Sequence, residues 1–426
     1  MLYFFPGFCY HKTRTPEKEN KPLMYTGKNI LVGQSGGPTA VINASLAGVL
    51  SAARQAGIGK IYGMRYGLQG LLEGKIIDLE PLTSEKNLLL LQKTPAAYLG
   101  SCRVKLPKIE DKAEVYEALF AFLMERDIGA VFYIGGNDSM DAARKLSAYA
   151  ARVSSPIRFI GVPKTIDNDM ACTDHTPGFG SAARYIACVT REVVQDALVY
   201  DQKRITIMEI MGRDAGWLTG AAALAWGANH IGPDFIYLPE TPLDLDEFCE
   251  RAVERQRTRR SLVIAVSEGV RATSGHYVCE ATAMNPDYQD AFGHRDISGT
   301  ARALCELLAL RCGCKARAVE VNVLQRCAAH YTSATDVREA FAVGEAAVRA
   351  AMAGHTGVMP AFERIGSDPY ACRIVLRNLG DIANAVRHVP LEWIKPGGAG
   401  LTDEFLQYVR PLADMENDEE GLPALP

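Results

Sequence analysis

Along this chain, short runs of consecutive apolar residues alternate with longer stretches in which apolar positions return every three or four residues. A short run bounded by glycine or polar residues predicts a buried strand, and the longer period predicts an amphipathic helix. "NILVG" (29–33) predicts a first strand, which passes through "QSGGPT" into "AVINASLAGVL", where Ile42, Leu46, Val49 and Leu50 repeat at helical spacing. "AVFYI" (130–134) predicts a second strand, leading through "GGNDS" into a helix with Met140, Ala143 and Leu146 on one side. "RFIGV" (158–162) runs into "PKTIDND", "RITIMEI" into "MGRDAG", and "SLVIAV" into "SEG". Strands alternating with helices predict an α/β architecture with largely parallel sheets. All five runs end in glycines, acids or basic residues, and the carboxyl ends of strands are where open α/β sheets gather ligands.

Composition changes this picture little. A chain of 426 residues is long enough for two domains, although no low-complexity linker or solenoid-length repeat marks a boundary. A net charge of -4 argues against a nucleic acid or a membrane surface as partner. No apolar run approaches the roughly 18–20 residues of a membrane span. The 11 cysteines include no C-x-x-C pair, and Cys312 and Cys314 form a lone C-x-C, so reduced thiols in a cytoplasmic protein are expected. Residues 1–26 are expected to be a disordered extension, with Met24 as an alternative start. The apolar part of that extension is broken by Pro6 and has no basic segment before it, unlike a signal peptide. The closing "MENDEEGLPALP" is expected to be mobile.

The chemistry sits in the strand-end segments. "GQSGGPTAVINA" (33–44) places glycines between strand and helix, where the backbone can approach a ligand and free N–H groups attract an anion. It matches neither a Walker A loop nor GxGxxG, so a plain tight turn explains it equally well. In "PKTIDND", Asp167 and Asp169 flank Asn168, and in extended chain the two acids share one face. One carboxylate could then take a hydroxyl proton while the other helps to hold a cation. Lys164 sets a positive charge beside them, and an Asx-rich turn is the competing explanation. Arg204, Arg213 and Arg326 offer guanidinium forks suited to phosphate. Glu268 could accept hydrogen bonds from sugar hydroxyls or cap a helix.

Taken together, "GGPTAVINA", "LGSCR" (99–103), "GGNDS", "PKTIDND", "MGRDAGWL", "SEG" and "LQR" resemble the phosphofructokinase family, in family order over residues 29 to 410. The resemblance implies two doubly wound α/β domains with the active site in the cleft between them. It implies a donor domain over 27–178, a sugar-phosphate domain over 179–335, and a C-terminal segment, 336–426, packing on both. The reaction it implies is magnesium-dependent phosphoryl transfer to the 1-hydroxyl of fructose 6-phosphate. Asp167 then resembles the catalytic base, with Thr165 beside it at the transferring group and Ile166 between them. Asp169 resembles the acid that supports the Mg2+ site, Gly37 and Gly136 the glycines at the donor phosphates, and Arg103 an arginine near the transferred group. Met211, Gly212 and Arg213 match the sugar-phosphate segment, and Glu268 the residue that holds sugar hydroxyls. Arg204 and Arg326 match arginines that reach the 6-phosphate from a neighbouring subunit, so a homo-oligomer is implied. After Arg326 the chain departs from the family pattern, and the 6-phosphate role stays open among His330, Tyr331 and Arg338.

The donor is read from Asp138 and Lys164. Family members that use ATP carry glycine at both positions, and members that use pyrophosphate carry the acid and the lysine. A carboxylate at Asp138 would meet the α-phosphate of ATP. At ~4 Å, two unit charges repel by about 4 kcal/mol at an effective dielectric of about 20. That repulsion is worth about two to three decades of affinity. Pyrophosphate has no α-phosphate, and Lys164 supplies a cation where its leaving oxyanion develops. Asn137, neutral where many relatives have an aspartate, leaves the metal to be shared among Asn137, Asp138 and Asp169. The expected reaction is therefore reversible transfer from pyrophosphate. An ATP-dependent kinase, a non-catalytic regulatory subunit and a nicotinamide-dependent dehydrogenase are the alternatives. Intact Asp167, Asp169, Lys164 and Arg213 weigh against the regulatory subunit, and the missing dinucleotide fingerprint weighs against the dehydrogenase.

Overall fold

The computed structural model describes residues 29–227, 231–281, 298–383 and 385–415, so the expected extension at 1–26 and the tail from 416 lie outside the described residues. The strands among these residues are β1 (Asn29–Gln34), β2 (Ile61–Met64), β3 (Ile76–Asp78), β4 (Ile128–Gly135), β5 (Arg158–Pro163), β6 (Arg204–Ile210), β7 (Phe235–Tyr237), β8 (Ser261–Ser267), β9 (Lys315–Glu320), β10 (Val358–Ser367) and β11 (Tyr370–Asn378). The helices used below are α1 (Ile42–Gln55), α2 (Ala113–Glu125), α3 (Asn137–Arg152), α4 (Phe179–Leu198), α5 (Thr300–Cys312) and α6 (Ala334–Met352). The five strands expected from apolar runs are all present, each within about two residues of its expected ends.

The chain divides into two compact units. The first runs to Thr165 and adds Met170–Gly178 and Val337–Ala385. The second takes Ile166–Asp169, Phe179–Asp336 and the residues from Val386 on. Ile166–Asp169 were expected with the donor domain, and their bonding explains why they group with the second unit instead. The Asn168 side chain donates to the Tyr408 hydroxyl at 2.9 Å, and the Asp169 carbonyl accepts from Arg387 N at 2.7 Å. The segment after Asp336 is divided at Ala385/Val386 between the units.

The first unit holds a seven-stranded sheet in the order β11-β10-β5-β4-β1-β2-β3. Pairing is parallel from β10 to β2, with antiparallel strands at both edges. Because both faces of the central strands β1, β4 and β5 are covered, these strands are almost wholly apolar and their residues sort by parity. Ile30, Val32, Phe132 and Ile134 pack on one face with Leu46, Val49 and Leu50 of α1. Leu31, Val131 and Tyr133 pack on the other with Leu119, Phe120 and Leu123 of α2. The chain leaves β1 toward β2 on one side and returns to β4 on the other. The carboxyl ends of β1 and β4 are thus a topological switch point, the place where a crevice opens in such sheets.

The second unit holds a four-stranded parallel sheet in the order β7-β8-β6-β9. Its core joins Ile205 and Ile207 to Leu262, Ile264 and Val266, with Leu304 and Leu308 of α5 over them. A second apolar group gathers Trp217, Trp393, Phe405 and Tyr408, with ring centroids 5.2 to 6.4 Å apart. Onto it is laid the strap at 386–389: Arg387 sits 4.2 Å over the Trp217 ring, and its carbonyl accepts from Trp217 Nε1 at 2.9 Å.

Candidate active site

In the first unit the switch point carries three segments in contact. The loop after β1 turns at Gly36, whose φ of +76° suits glycine and whose N–H donates to the Cys102 carbonyl at 3.1 Å. The Ser101 hydroxyl donates to the Gly36 carbonyl at 2.6 Å, so "LGSCR" is fastened to this loop although 65 residues separate them. Below it, buried Gln34 and Asn43 bind the 94–99 segment, with Leu99 N donating to Gln34 Oε1 and Tyr98 N to Asn43 Oδ1, both at 2.9 Å. Lys164 follows β5 and is 2 % exposed. Its Nζ donates to the Gly37 carbonyl at 2.7 Å, and its backbone N–H donates to Gly135 at the end of β4. A buried ammonium is thereby held against the glycine loop, where an anion could exchange for the carbonyl at little cost in reorganisation.

At the end of β4, Gly136 is the N-cap of α3 in extended geometry and offers no side chain to cap it. Asn137 and Asp138 are the first residues of the helix, inside it rather than at its cap. Asp138 is instead an acid in the first turn, where the free N–H groups and the helix dipole favour negative charge. Lys105 Nζ lies 3.6 Å from its Oδ1. The loop carrying Lys105 is pinned just after it: Lys145 Nζ donates to the Leu106 carbonyl at 2.8 Å and the Tyr116 hydroxyl to the Pro107 carbonyl at 2.6 Å. Arg103, on the same segment, is exposed.

The second unit carries a different electrostatic arrangement. Ile166 is buried, and Asn168, 1 % exposed, takes a left-handed φ of +54°. The extended chain that would set Asp167 and Asp169 on one face is therefore absent, and a turn stands in its place. The two acids still repel one another. Burial and the Asp167 carboxylate, with Asp214 adding to them, hold the Asp169 carboxyl above its usual range against the pull of Arg387. Glu268 is pushed up to about 7, by burial first and by the Asp167 charge in addition, although the Gly212 N–H bonded to it works the other way. Three strand-end segments thus converge here. Met211 N donates to Gln325 Oε1 at 3.1 Å, Gly212 N to Glu268 Oε1 at 3.3 Å, and the Ser267 hydroxyl to the Gly212 carbonyl. Gly212 stands at φ +140°, and a Cβ there would come within 2.6 Å of the Ala215 carbonyl oxygen, so the position needs glycine. Among the described residues the Glu268 side chain caps no helix; Glu209 does so for α5, accepting from Gly299 N at 3.1 Å and Ala301 N at 2.8 Å.

The remaining phosphate candidates are distributed unevenly. Arg204 opens β6 while Met211 follows its far end, about 20 Å away along a strand of this length. Its guanidinium lies 4.0 Å over the Tyr200 ring. Within one chain it does not join the Met211–Arg213 segment. Arg326 lies on a short helix, Leu324–Cys327, next to the Gln325 that binds Met211. The Tyr331 ring lies 4.7 Å beneath Arg184, and His330 is exposed. Arg338 is exposed and belongs to the first unit, unlike Arg326, His330 and Tyr331.

Three partners of these groups were not read from the sequence. Lys105 could have been, as a second base after "LGSCR". Gln325 is flagged only by its place in "LQR". Arg387 lies 218 positions after Asp169 with no motif around it, and only folding brings it to that carbonyl.

A sequence profile described as phosphofructokinase matches residues 29–351. The pyrophosphate–fructose 6-phosphate 1-phosphotransferase of Methylococcus capsulatus is 38 % identical over 394 residues, covering 92 % of each chain. A pyrophosphate-dependent phosphofructokinase from Nitrosospira multiformis superposes with a TM-score of 0.81 at 36 % identity, over 91 % of this chain and 92 % of the other. One from Marinobacter aquaeolei gives 0.79 at 37 % identity, over 93 % and 95 %.

Proposed function

The chain belongs to the phosphofructokinase family, and we propose that it moves a phosphoryl group from pyrophosphate to the 1-hydroxyl of fructose 6-phosphate. The products are fructose 1,6-bisphosphate and phosphate, and the exchange of an anhydride without nucleotide for an ester makes it reversible. The observation that carries the donor assignment is the pairing of buried Lys164 on the Gly37 carbonyl with Asp138 in the first turn of α3. Relatives named for pyrophosphate match over nine-tenths of both chains.

In this reading Gly37, Gly136 and Lys164 hold pyrophosphate, with Arg103 at the transferred group and Asp138 repelling an α-phosphate. Thr165 donates a hydrogen bond to the transferring group. Asp167 takes the proton of the sugar 1-hydroxyl as its oxygen attacks phosphorus. Lys164 stabilises the phosphate oxyanion that leaves. Met211, Gly212, Arg213 and Glu268 bind the sugar, and Arg326 with His330, Tyr331 or Arg338 binds the 6-phosphate. Arg204 serves from a neighbouring copy, because its own strand places it too far from Met211, so a homo-oligomer is part of the proposal.

The donor chemistry fits Mg2+: the candidate ligands all offer oxygens, and Asp169, whose carboxyl is held above its usual range by burial and by the neighbouring Asp167 carboxylate, lies where a cation would relieve crowded negative charge. Asn137, Asp138 and Asp169 are the ligands proposed for it. When bound, the cation neutralises charge on the phosphate oxygens. No helix among the described residues is long and apolar enough to cross a membrane, and a cytoplasmic enzyme is proposed. The test is turnover of fructose 6-phosphate by the purified chain with pyrophosphate and with ATP. Faster turnover with ATP would overturn the donor assignment.

A further inference from the structure

Just beyond the acidic turn, inside the first unit, lies a buried ion cluster that the proposed mechanism does not use. His175 is 3 % exposed and has a carboxylate on each ring nitrogen: Asp174 Oδ2 at 2.9 Å from Nδ1 and Glu339 Oε2, on α6, at 2.7 Å from Nε2. The ring stacks on Phe362 of β10, with centroids 4.5 Å apart and planes 6° from parallel. Arg364 of β10 forks onto Asp174 at 3.0 to 3.2 Å, and the Tyr370 hydroxyl on β11 donates to Glu339 Oε1 at 2.7 Å, with Cys372 beside it. Asp174, His175 and Cys372 are close enough together to hold a metal ion. Both ring nitrogens and the Asp174 carboxylate are already engaged, however, and the guanidinium supplies the cation.

What this cluster holds is the backbone of the candidate site. Asp174 N donates to the Phe362 carbonyl at 2.9 Å, and Phe362 N to the Thr173 hydroxyl at 3.0 Å, which anchors the segment on β10. At its other end, the Thr176 hydroxyl donates to the Thr165 carbonyl at 2.9 Å and Thr165 N donates to Pro177 at 3.2 Å. We propose that His175, clamped between Asp174 and Glu339, is a positioning residue for phosphoryl transfer: through it β10 and α6 fix the segment on which the backbone of Thr165 is mounted.

Charge counting explains why the clamp needs an imidazolium. Two carboxylates face one guanidinium, so a neutral ring would leave a net negative charge buried. It would also turn an unprotonated ring nitrogen toward a carboxylate, since neutral imidazole donates from only one side. Burial opposes the charge, but Glu339 and Asp174 outweigh it, and the ring's pKa is pushed up to about 9. The folded value lies above the unfolded ~6.5. The clamp's contribution is therefore complete below about pH 6.5 and is lost as pH rises through about 9.

This inference rests on the proposed reaction for its activity readout, and hydrogen exchange of residues 165–178 provides a second readout that does not. His175→Gln keeps a hydrogen-bonding side chain and removes the charge; adding Glu339→Gln restores the balance. In His175→Gln, kcat should fall by about tenfold or more with KM for fructose 6-phosphate held within about twofold, as for a misplaced reacting group. Exchange of 165–178 should quicken, and the double variant should recover most of both losses. Wild-type kcat and protection in His175→Gln, measured well below a lowered Tm, would overturn the proposal by leaving only a stability role. A normally folded double variant no better than the single one would overturn it as well. If His175→Gln does not fold, the double variant is compared with wild type: a kcat within about fivefold supports the clamp and a loss of about tenfold or more overturns it. A wild-type chain without pyrophosphate-dependent transfer would remove the proposed function, and the exchange measurement would then decide the positioning.

Discussion

The two units present opposite solutions to handling phosphate chemistry. In the first, charges come balanced: Lys164 rests on a carbonyl, Asp138 faces Lys105, and the proposed anion site lies on the backbone that follows β1 and β4. In the second, negative groups crowd together, with burial first and the Asp167 charge in addition raising the proton affinity of both Asp169 and Glu268. A balanced site selects by size and sign, because any added charge must find room among fixed partners. A crowded acidic site stores electrostatic free energy that a proton or a cation releases, which suits a base that must accept a proton from a weakly acidic hydroxyl. Under the proposed assignment of residues, donor choice and acceptor chemistry should respond to different substitutions.

The largest effect should come from the acidic side. Asp167→Ala should lower kcat by about 10²–10⁴ in both directions, the range of general-base removal, with the folded state retained. Rates near wild type in a forward and reverse assay would remove Asp167 from the role of base. On the balanced side, Asp138→Gly should raise kcat/KM for ATP relative to pyrophosphate by up to about 10²–10³, the equivalent of about 4 kcal/mol of repulsion. An unchanged donor ratio would show that the acid does not set it. Lys164→Ala should cost about 10–100-fold in kcat/KM for pyrophosphate and change KM for fructose 6-phosphate little. A matching loss on the sugar side would show that the two sites are not separable. The smallest effect is structural. Asn168→Gly keeps the left-handed backbone but loses the bond to Tyr408, so thermal unfolding should report about 1 kcal/mol less stability. Asn168→Ala should cost more, since it adds backbone strain.

Much of the fold was legible because buried parallel strands are apolar on both faces. "NILVG", "AVFYI", "RFIGV", "RITIMEI" and "SLVIAV" show this as uninterrupted runs, and each became a strand. The β10–β11 hairpin was not foreseen, because its edge position leaves "ERIGS" and "LRN" half polar. The short strands β2, β3 and β7 were missed as well; β3 and β7 are only three residues long. Candidate site residues carried by compact motifs could be named one by one. The geometry of "TIDND" could not: periodicity suggested an extended face, whereas Asn168 turns left-handed to reach Tyr408.

Residue type and spacing alone set out the chemical inventory: an acid and a lysine at strand ends, a pair of aspartates, and glycines in the loops between strand and helix. They could do so because these choices are local, made within a few positions. Only the tertiary structure decided which of these groups share an environment. It gave Asp138 a lysine, Asp169 the Arg387 strap, and His175 two carboxylates, one of them 164 positions away. A proton affinity or a clamp depends on charges brought together through a desolvated interior, and that distance exists only once the chain has folded.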